Sequence, residues 1–113
     1  MQKRPEIRIL NILYVFNIGG LENGLINLIN RSDPNIFHHE ICCITTTGSA
    51  EQRLERSVKI FQMNKRKSND WQMVCKLLKL IKNRRPHIVH TRNWGTVDGI
   101  VAARLANVPY VVH

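Results

Sequence analysis

The spacing of hydrophobic residues along the chain changes repeatedly between the patterns of strands and of helices. From Ile9 to Phe16 the residues are almost continuously apolar and β-rich, which is typical of a strand covered on both faces. After a Gly-Gly turn, apolar residues recur at helical spacing, at Leu21, Leu25, Leu28 and Ile29. That period predicts an amphipathic helix packed against the strand.

The same alternation continues to the end of the chain. Further strands are predicted at 38–45, 58–63, 87–91 and 110–113, with helices at 50–56, 70–85 and 97–105 between them. The helix at 70–85 has one buried stripe, formed by Trp71, Val74, Leu77, Leu78 and Ile81. Strands that alternate with helices through short connections predict a doubly wound, mostly parallel, Rossmann-like α/β sheet with right-handed crossovers.

The turn between the first strand and the first helix contains two adjacent glycines, Gly19 and Gly20. Glycine permits positive φ and places no side chain between the backbone and a ligand, while the following helix presents unpaired N–H groups. An anionic or hydroxyl-rich ligand fits such a turn. The motif is neither G-x-G-x-x-G nor a P-loop, so the alternative is a tight turn in which Glu22 complements the helix dipole.

Polar residues suited to hydrogen bonding and stacking lie at the end of the strand at 87–91 and in the loop after it: His90, Arg92, Asn93 and Trp94. His113 ends the last strand. Because the carboxyl ends of parallel strands share one edge of the sheet, the sequence predicts that these groups and the glycine turn meet at a common cleft. The alternative for the loop is a salt-bridged cap that binds no ligand.

The chain is strongly basic, with 17 Lys and Arg against 8 Asp and Glu and a formal net charge of +9. Part of this charge lies in the run Lys65–Lys67, and part on the polar side of the helix at 70–85. Such a helix can lie on an anionic membrane or be an ordinary solvated face. A basic nucleic-acid-binding α/β module is the second functional alternative, although aromatic residues make up only 6% of the chain and no nucleic-acid motif is present.

Metal binding, disulfides and membrane spanning are not favoured by the sequence. The three cysteines form neither a disulfide framework nor a C-x-x-C pair, which indicates a reduced, cytosolic compartment. His38, His39 and Cys42 lack the spacing of zinc ligands, because neighbouring strand residues point to opposite faces. Asn11 and Asn17 interrupt the first apolar run, which argues against a signal peptide, and no apolar run reaches the length of a membrane span.

Three segments carry a resemblance to a known family: 12–25 around the glycine turn, 85–95 around the H-T-R-N-W-G stretch, and 102–109. Together they resemble the N-terminal half of family-4 glycosyltransferases of GT-B fold, and the H-T-R-N-W-G stretch resembles sugar transferases of bacterial exopolysaccharide and exosortase-associated gene clusters. The resemblance implies a two-domain retaining hexosyltransferase. It would move a sugar from a nucleotide-diphosphate sugar to a saccharide or lipid-linked acceptor, without a metal or other cofactor.

By this resemblance, residues 1–113 are part of the N-terminal, acceptor-side domain, and the C-terminal donor-binding domain is absent from this chain, which alone is predicted to be inactive. Gly19 and Gly20 would border the donor diphosphate. The acceptor side would comprise Glu22, Asn23, His90, Arg92, Asn93 and Trp94. Relatives have a functionally important histidine just beyond this last strand; His113 is either that residue or lies a few positions before it, and it is the candidate catalytic residue. His87 stands where relatives more often have Asp, which we expect to affect packing. The resemblance implies a cytoplasmic location, with peripheral contact at the inner membrane face.

Overall fold

The computed structural model of the protein describes residues 6–14, 20–45, 48–55, 57–64, 70–92 and 97–113. Its elements are, in chain order, β1 (Ile7–Leu13), α1 (Gly20–Arg31), β2 (Phe37–Cys43), a 3-10 turn (Ser49–Arg53), β3 (Ile60–Gln62), α2 (Asp70–Arg84), β4 (Ile88–Thr91), α3 (Val97–Leu105) and β5 (Tyr110–Val112). The predicted order of strands and helices is confirmed. The first strand begins two residues earlier than predicted, and a 3-10 turn replaces the short helix predicted at 50–56.

All five strands are parallel and form one sheet in the order β3-β2-β1-β4-β5. The register pairs Ile12 of β1 with Cys42 of β2 and with Thr91 of β4. The strand order reverses at β1, because β2 and β3 lie on one side of it and β4 and β5 on the other. This is the predicted doubly wound, Rossmann-like arrangement, and ligand sites of such sheets lie where the order reverses, outside the carboxyl ends of the strands.

Each face of the sheet is covered by different helices. One face packs against α2 and α3 through a core of Leu10, Ile12, Cys42, Ile44, Met73, Val74, Leu77, Ile81, Val89, Ala102 and Ala103. The other face packs against α1 and the 3-10 turn through Leu13, Leu25, Ile26, Ile29, Ile41, Cys43 and Ala50. Full burial of each Leu or Ile contributes about 1.5–3 kcal/mol, so these two layers hold the strand ends in place.

The buried stripe of α2 differs from the predicted one at its first member. Trp71 is 69% exposed, whereas Leu77 and Ile81 are buried and Met73 takes the place that was predicted for the tryptophan. At about 100° per residue, Trp71 lies roughly 100° around the helix from the centre of the buried stripe, while Met73 lies within it. The indole therefore faces away from the sheet.

Helix α3 approaches the sheet closely because of Gly99. A Cβ at this position would lie 2.7 Å from Ile12 Cδ1 and 3.2 Å from Thr91 Cγ2, both shorter than ordinary van der Waals contact. A side chain here would force either the end of the Ile12 side chain or α3 to shift. The glycine thus fixes the distance between the helix and the last residue of β4.

Candidate functional site

The residues that follow β1, β2 and β4 continue the backbone ladder past the ends of these strands. The Thr45 N–H donates to the Tyr14 carbonyl at 2.9 Å, and the Arg92 N–H donates to the Ile12 carbonyl at 3.1 Å. These bonds fix the backbone beyond the strands, where a ligand site is expected. We use the term carboxyl edge for Tyr14, Thr45, His90, Thr91, Arg92 and His113.

Thr91 and His113 are joined across two neighbouring strands of the carboxyl edge. Thr91 Oγ1 lies 2.6 Å from His113 Nδ1, and the Thr91 side chain is fully buried. The same hydroxyl lies 3.5 Å from the Val112 carbonyl. A residue that belongs to the packed sheet therefore holds the exposed imidazole of His113 on one side.

His90 and Arg92 form a second pair at this edge. Arg92 Nη2 donates to His90 Nδ1 at 3.3 Å, so that ring nitrogen acts as the acceptor. Burial, the Arg92 guanidinium and His113 together lower the pKa of His90 from its ordinary value of 6.5, in that order of importance. Burial also lowers the pKa of Arg92, which nevertheless remains cationic because guanidinium groups do not deprotonate in proteins. The pair combines a neutral imidazole with a fixed positive charge, and it can donate hydrogen bonds to anionic or hydroxyl groups.

The predicted residues around the glycine turn have distinct positions. Gly20 is the first residue of α1, so it belongs to the helix terminus rather than to the turn, and the N–H groups of this first turn have no partner within the helix. Glu22 is half-buried in the same turn and is the acidic residue there. Asn23 Oδ1 accepts a hydrogen bond from Arg53 Nη1 at 2.9 Å, which ties α1 to the 3-10 turn. Gly19, Asn93 and Trp94 lie outside the described residues.

The residues considered for metal binding have other neighbours. His38 Nε2 lies 3.7 Å from a Glu6 carboxylate oxygen, and His39 Nδ1 lies 3.1 Å from the Asn11 amide nitrogen. Burial, with a smaller effect of the adjacent thiol, raises the pKa of Cys42 to about 12, so its thiol is protonated. Within the described residues, no three His, Cys, Asp or Glu side chains converge as metal ligands would. Among the described helices, none has the length and hydrophobicity to cross a membrane.

Sequence reasoning did not predict two features. The Thr91–His113 contact depends on the register of β4 and β5, which pairs His90 with Val112 and so brings the two following residues together. A cavity of about 400 Å³ lies at the opposite, amino edge of the sheet, lined in part by Arg8, Phe37, Glu40, Val58, Lys59 and Arg84. No local pattern marks this cavity, because its walls come from segments far apart in the chain.

Fold and geometry thus define a Rossmann-like α/β unit that gathers basic and hydroxyl groups at the carboxyl ends of its strands. The family model of Glycosyltransferase Family 4 matches residues 18–113, and the chain belongs to that family. This confirms the predicted family and favours the transferase over the nucleic-acid-binding alternative.

Among solved structures, the chain is similar to a Listeria monocytogenes protein named as a UDP-N-acetylglucosamine 2-epimerase, with a TM-score of 0.58 and 14% sequence identity. The likeness covers 93% of this chain and 29% of that protein, so this chain spans less than a third of its length. At this identity the likeness shows the fold, and it supports the Rossmann-like arrangement. A comparison with curated proteins gives no significant sequence match.

Proposed function

We propose that the chain is the N-terminal, acceptor-side part of a GT-B-fold glycosyltransferase. The complete enzyme would transfer a hexosyl unit, with retention of configuration, from a nucleotide-diphosphate sugar to a saccharide or lipid-linked acceptor of bacterial polysaccharide synthesis. The observation that carries this proposal is the meeting of His90, Arg92 and His113 at the carboxyl ends of β4 and β5, in a chain of Glycosyltransferase Family 4. These side chains offer the donors that sugar hydroxyls and phosphate oxygens require.

In this proposal the donor diphosphate lies against Gly19, Gly20 and the first turn of α1. A helix N-terminus carries unpaired N–H groups and a partial positive charge, so it suits a leaving group whose negative charge grows during transfer. Transfer would need no metal ion or other cofactor from this part of the protein. The acceptor would contact the residues Glu22, Asn23, His90, Arg92, Asn93 and Trp94.

His113 is the proposed catalytic residue because it is the exposed imidazole of the carboxyl edge that a buried side chain orients. A ring held on one side presents its second nitrogen in a defined direction, which is what hydrogen bonding to a reacting sugar requires. His90 and Arg92 would instead contact the acceptor. They are hydrogen-bonded to each other and together offer donors to its hydroxyl groups.

The test is sugar transfer by the product of the complete reading frame, assayed with a panel of nucleotide-diphosphate sugars and lipid-linked acceptors. His113→Ala should lower transfer from the preferred donor by at least about tenfold, in the range of lost general acid–base or positioning contributions. His38→Ala is the matched control, because His38 lies at the amino edge beside Glu6 and should leave transfer unchanged. The 113-residue chain alone is expected to show no transfer.

Three outcomes would overturn parts of this proposal. Absence of transfer from every donor in the panel would contradict the transferase function. Transfer by His113→Ala at the rate of the unmodified enzyme would contradict the role of that histidine while the function stood. Transfer with inversion of configuration would contradict the retaining mechanism.

Peripheral contact with an anionic membrane is the second part of the proposal, since a lipid-linked acceptor lies in a bilayer. The exposed side of α2 supports it, because Lys76, Lys79 and Lys82 lie there and the indole of Trp71 is 69% exposed near the helix start. Interfacial helices combine basic residues with an aromatic anchor in this way. The enzyme would then act at the cytoplasmic face of the membrane.

Co-sedimentation with vesicles tests this contact. The protein should sediment with anionic vesicles and remain in solution with neutral ones, and added salt should release it. Lys79→Glu should weaken sedimentation more than Lys59→Glu, which makes the same charge change just before β3. Equal recovery with both kinds of vesicle would contradict membrane contact.

A further inference from the structure

Thr91 has an unusually fixed position for a hydroxyl side chain. It is the last residue of β4, it is fully buried, and its Cγ2 lies beside Gly99 of α3. A β-branched side chain in a packed site keeps one χ1 rotamer. The direction of its hydroxyl oxygen is therefore set by the sheet and by α3 rather than by solvent.

The two distances at Thr91 Oγ1 indicate where its proton goes. His113 Nδ1 lies at 2.6 Å, whereas the Val112 carbonyl oxygen lies at 3.5 Å, beyond the usual range for a hydroxyl donor. The shorter distance favours the hydroxyl as the donor to Nδ1, and in that arrangement the neutral ring carries its proton on Nε2. If the ring takes a second proton, Nδ1–H becomes the donor to Oγ1, and the hydroxyl turns toward Val112.

We infer that Thr91 is the positioning residue of His113, and that its hydroxyl selects the Nε2-protonated ring and holds its orientation at the carboxyl edge. This inference rests on the proposed function for its consequence, because a fixed ring matters to transfer only if His113 acts in transfer. The arrangement itself is a property of the folded chain. Gly99 contributes by letting α3 press on the methyl side of Thr91.

Nitrogen-15 spectra of the histidine rings of this chain test the inference without any assay of transfer. In the unmodified chain, neutral His113 should show a protonated Nε2 and an unprotonated, hydrogen-bonded Nδ1. Thr91→Val keeps the shape of the side chain and removes the hydroxyl, so the two ring nitrogens should shift toward the averaged values of exchanging tautomers. Thr91→Ser keeps the hydroxyl and should restore the single tautomer.

Thr45→Val is the matched control, because Thr45 is also a hydroxyl residue of the carboxyl edge, and its Oγ1 donates to the Tyr14 carbonyl at 2.6 Å. It should leave the His113 ring signals unchanged. If Thr91→Val folds poorly, Thr91→Ser decides: a ring that loses its single tautomer although the hydroxyl is present would overturn the inference. A single Nε2-protonated tautomer that persists in Thr91→Val would overturn it as well.

Transfer by the complete reading-frame product separates this inference from the proposed function. Thr91→Val should lower kcat about tenfold with the donor KM unchanged, since a misdirected catalytic group affects the reacting complex. Thr91→Ser should recover most of that loss. A disturbed tautomer together with unchanged kcat would overturn the positioning role, whereas absence of transfer from the unmodified enzyme would contradict the proposed function and leave the ring selection standing.

Discussion

The two edges of the sheet use the same kinds of residue in different ways. At the amino edge, Arg84 donates to both carboxylate oxygens of Glu40, one of them at 3.0 Å, and Arg8 Nε donates to the Arg85 carbonyl at 2.8 Å. His87 Nδ1 accepts the Arg8 N–H at 2.9 Å, which agrees with the packing role expected for His87. These links join separate elements, and they pair the Arg84 cation with a carboxylate.

At the carboxyl edge the cation has a different neighbour. Arg92 contacts the neutral ring of His90 there, and His113 contacts the Thr91 hydroxyl. A cavity of about 400 Å³ lies at the amino edge, and Glu40 pairs with Arg84 in its wall. We favour the carboxyl edge, because ligand sites of doubly wound sheets lie outside the carboxyl ends of the strands and because Glu40 already compensates the Arg84 charge at the amino edge.

Among the substitutions that test this comparison, we expect the largest change in stability at Gly99, where α3 packs closely against Ile12 and Thr91 near the carboxyl edge. In Gly99→Ala the new methyl would lie 2.7 Å from Ile12 Cδ1, and overpacking of this kind costs about 1–3 kcal/mol. The higher helix propensity of alanine offsets about 1 kcal/mol of this loss. We expect the free energy of unfolding, measured by urea denaturation, to fall by about 1 kcal/mol, the balance of these two effects.

Gly24 provides the matched control, because it lies in α1 and a Cβ there would meet nothing within 4 Å. Gly24→Ala should raise the free energy of unfolding by about 0.5–1 kcal/mol. Ile12→Val removes the Cδ1 atom that meets the new methyl, so it should relieve much of the Gly99→Ala loss in the double variant. Equal stabilisation by both alanines would show that α3 does not press on β4.

The next effect tests the structural role of the amino edge. Glu40→Gln removes the carboxylate partner of Arg84 while Arg84 remains 5.6 Å from the centroid of the Phe61 ring. Glu40→Gln should lower the free energy of unfolding by less than Gly99→Ala does, because both side chains of the pair are partly exposed. In the complete reading-frame product, Glu40→Gln should leave binding of the nucleotide-diphosphate sugar and of the acceptor unchanged. Glu55→Gln, at an exposed acid, is the control, and weaker donor binding by Glu40→Gln would reverse the assignment of the two edges.

Sequence periodicity predicted the order of strands and helices along the chain and the location of the carboxyl edge, because burial on two faces imposes distinct spacings on strands and helices. It misplaced Trp71, since an apolar residue at the margin of a helical stripe satisfies the pattern whether or not it is buried. Sequence periodicity did not predict the Thr91–His113 contact or the Glu40–Arg84 pair, for a different reason. Both depend on inter-strand register or on helix-to-sheet packing between residues far apart in the chain.

A smaller effect concerns the pH dependence of stability at the carboxyl edge. Folding lowers the pKa of His90 through burial, Arg92 and His113, so the unfolded chain binds this proton more readily than the folded one. The stability that His90 contributes is therefore fully present above pH 6.5, the ordinary pKa of histidine. It decreases as the pH falls from 6.5 toward the lower pKa that His90 has in the folded chain. His90→Gln should flatten this part of the profile, measured by urea denaturation between pH 5 and 7.5. His38→Gln should keep it, and an unchanged profile in His90→Gln would contradict the assignment.

The smallest effect isolates the charge that distinguishes the two edges. Arg92→Gln removes the positive charge beside His90 and keeps a donor, so the pKa of His90, measured by NMR titration, should rise. It should remain below 6.5, because burial is the larger cause of the lowering and persists in the variant. Arg53→Gln, the same substitution in the 3-10 turn, should leave the His90 titration unchanged. If Arg92→Gln also leaves it unchanged, the Arg92 guanidinium does not act on His90, and this assignment of the charges at the carboxyl edge would be wrong.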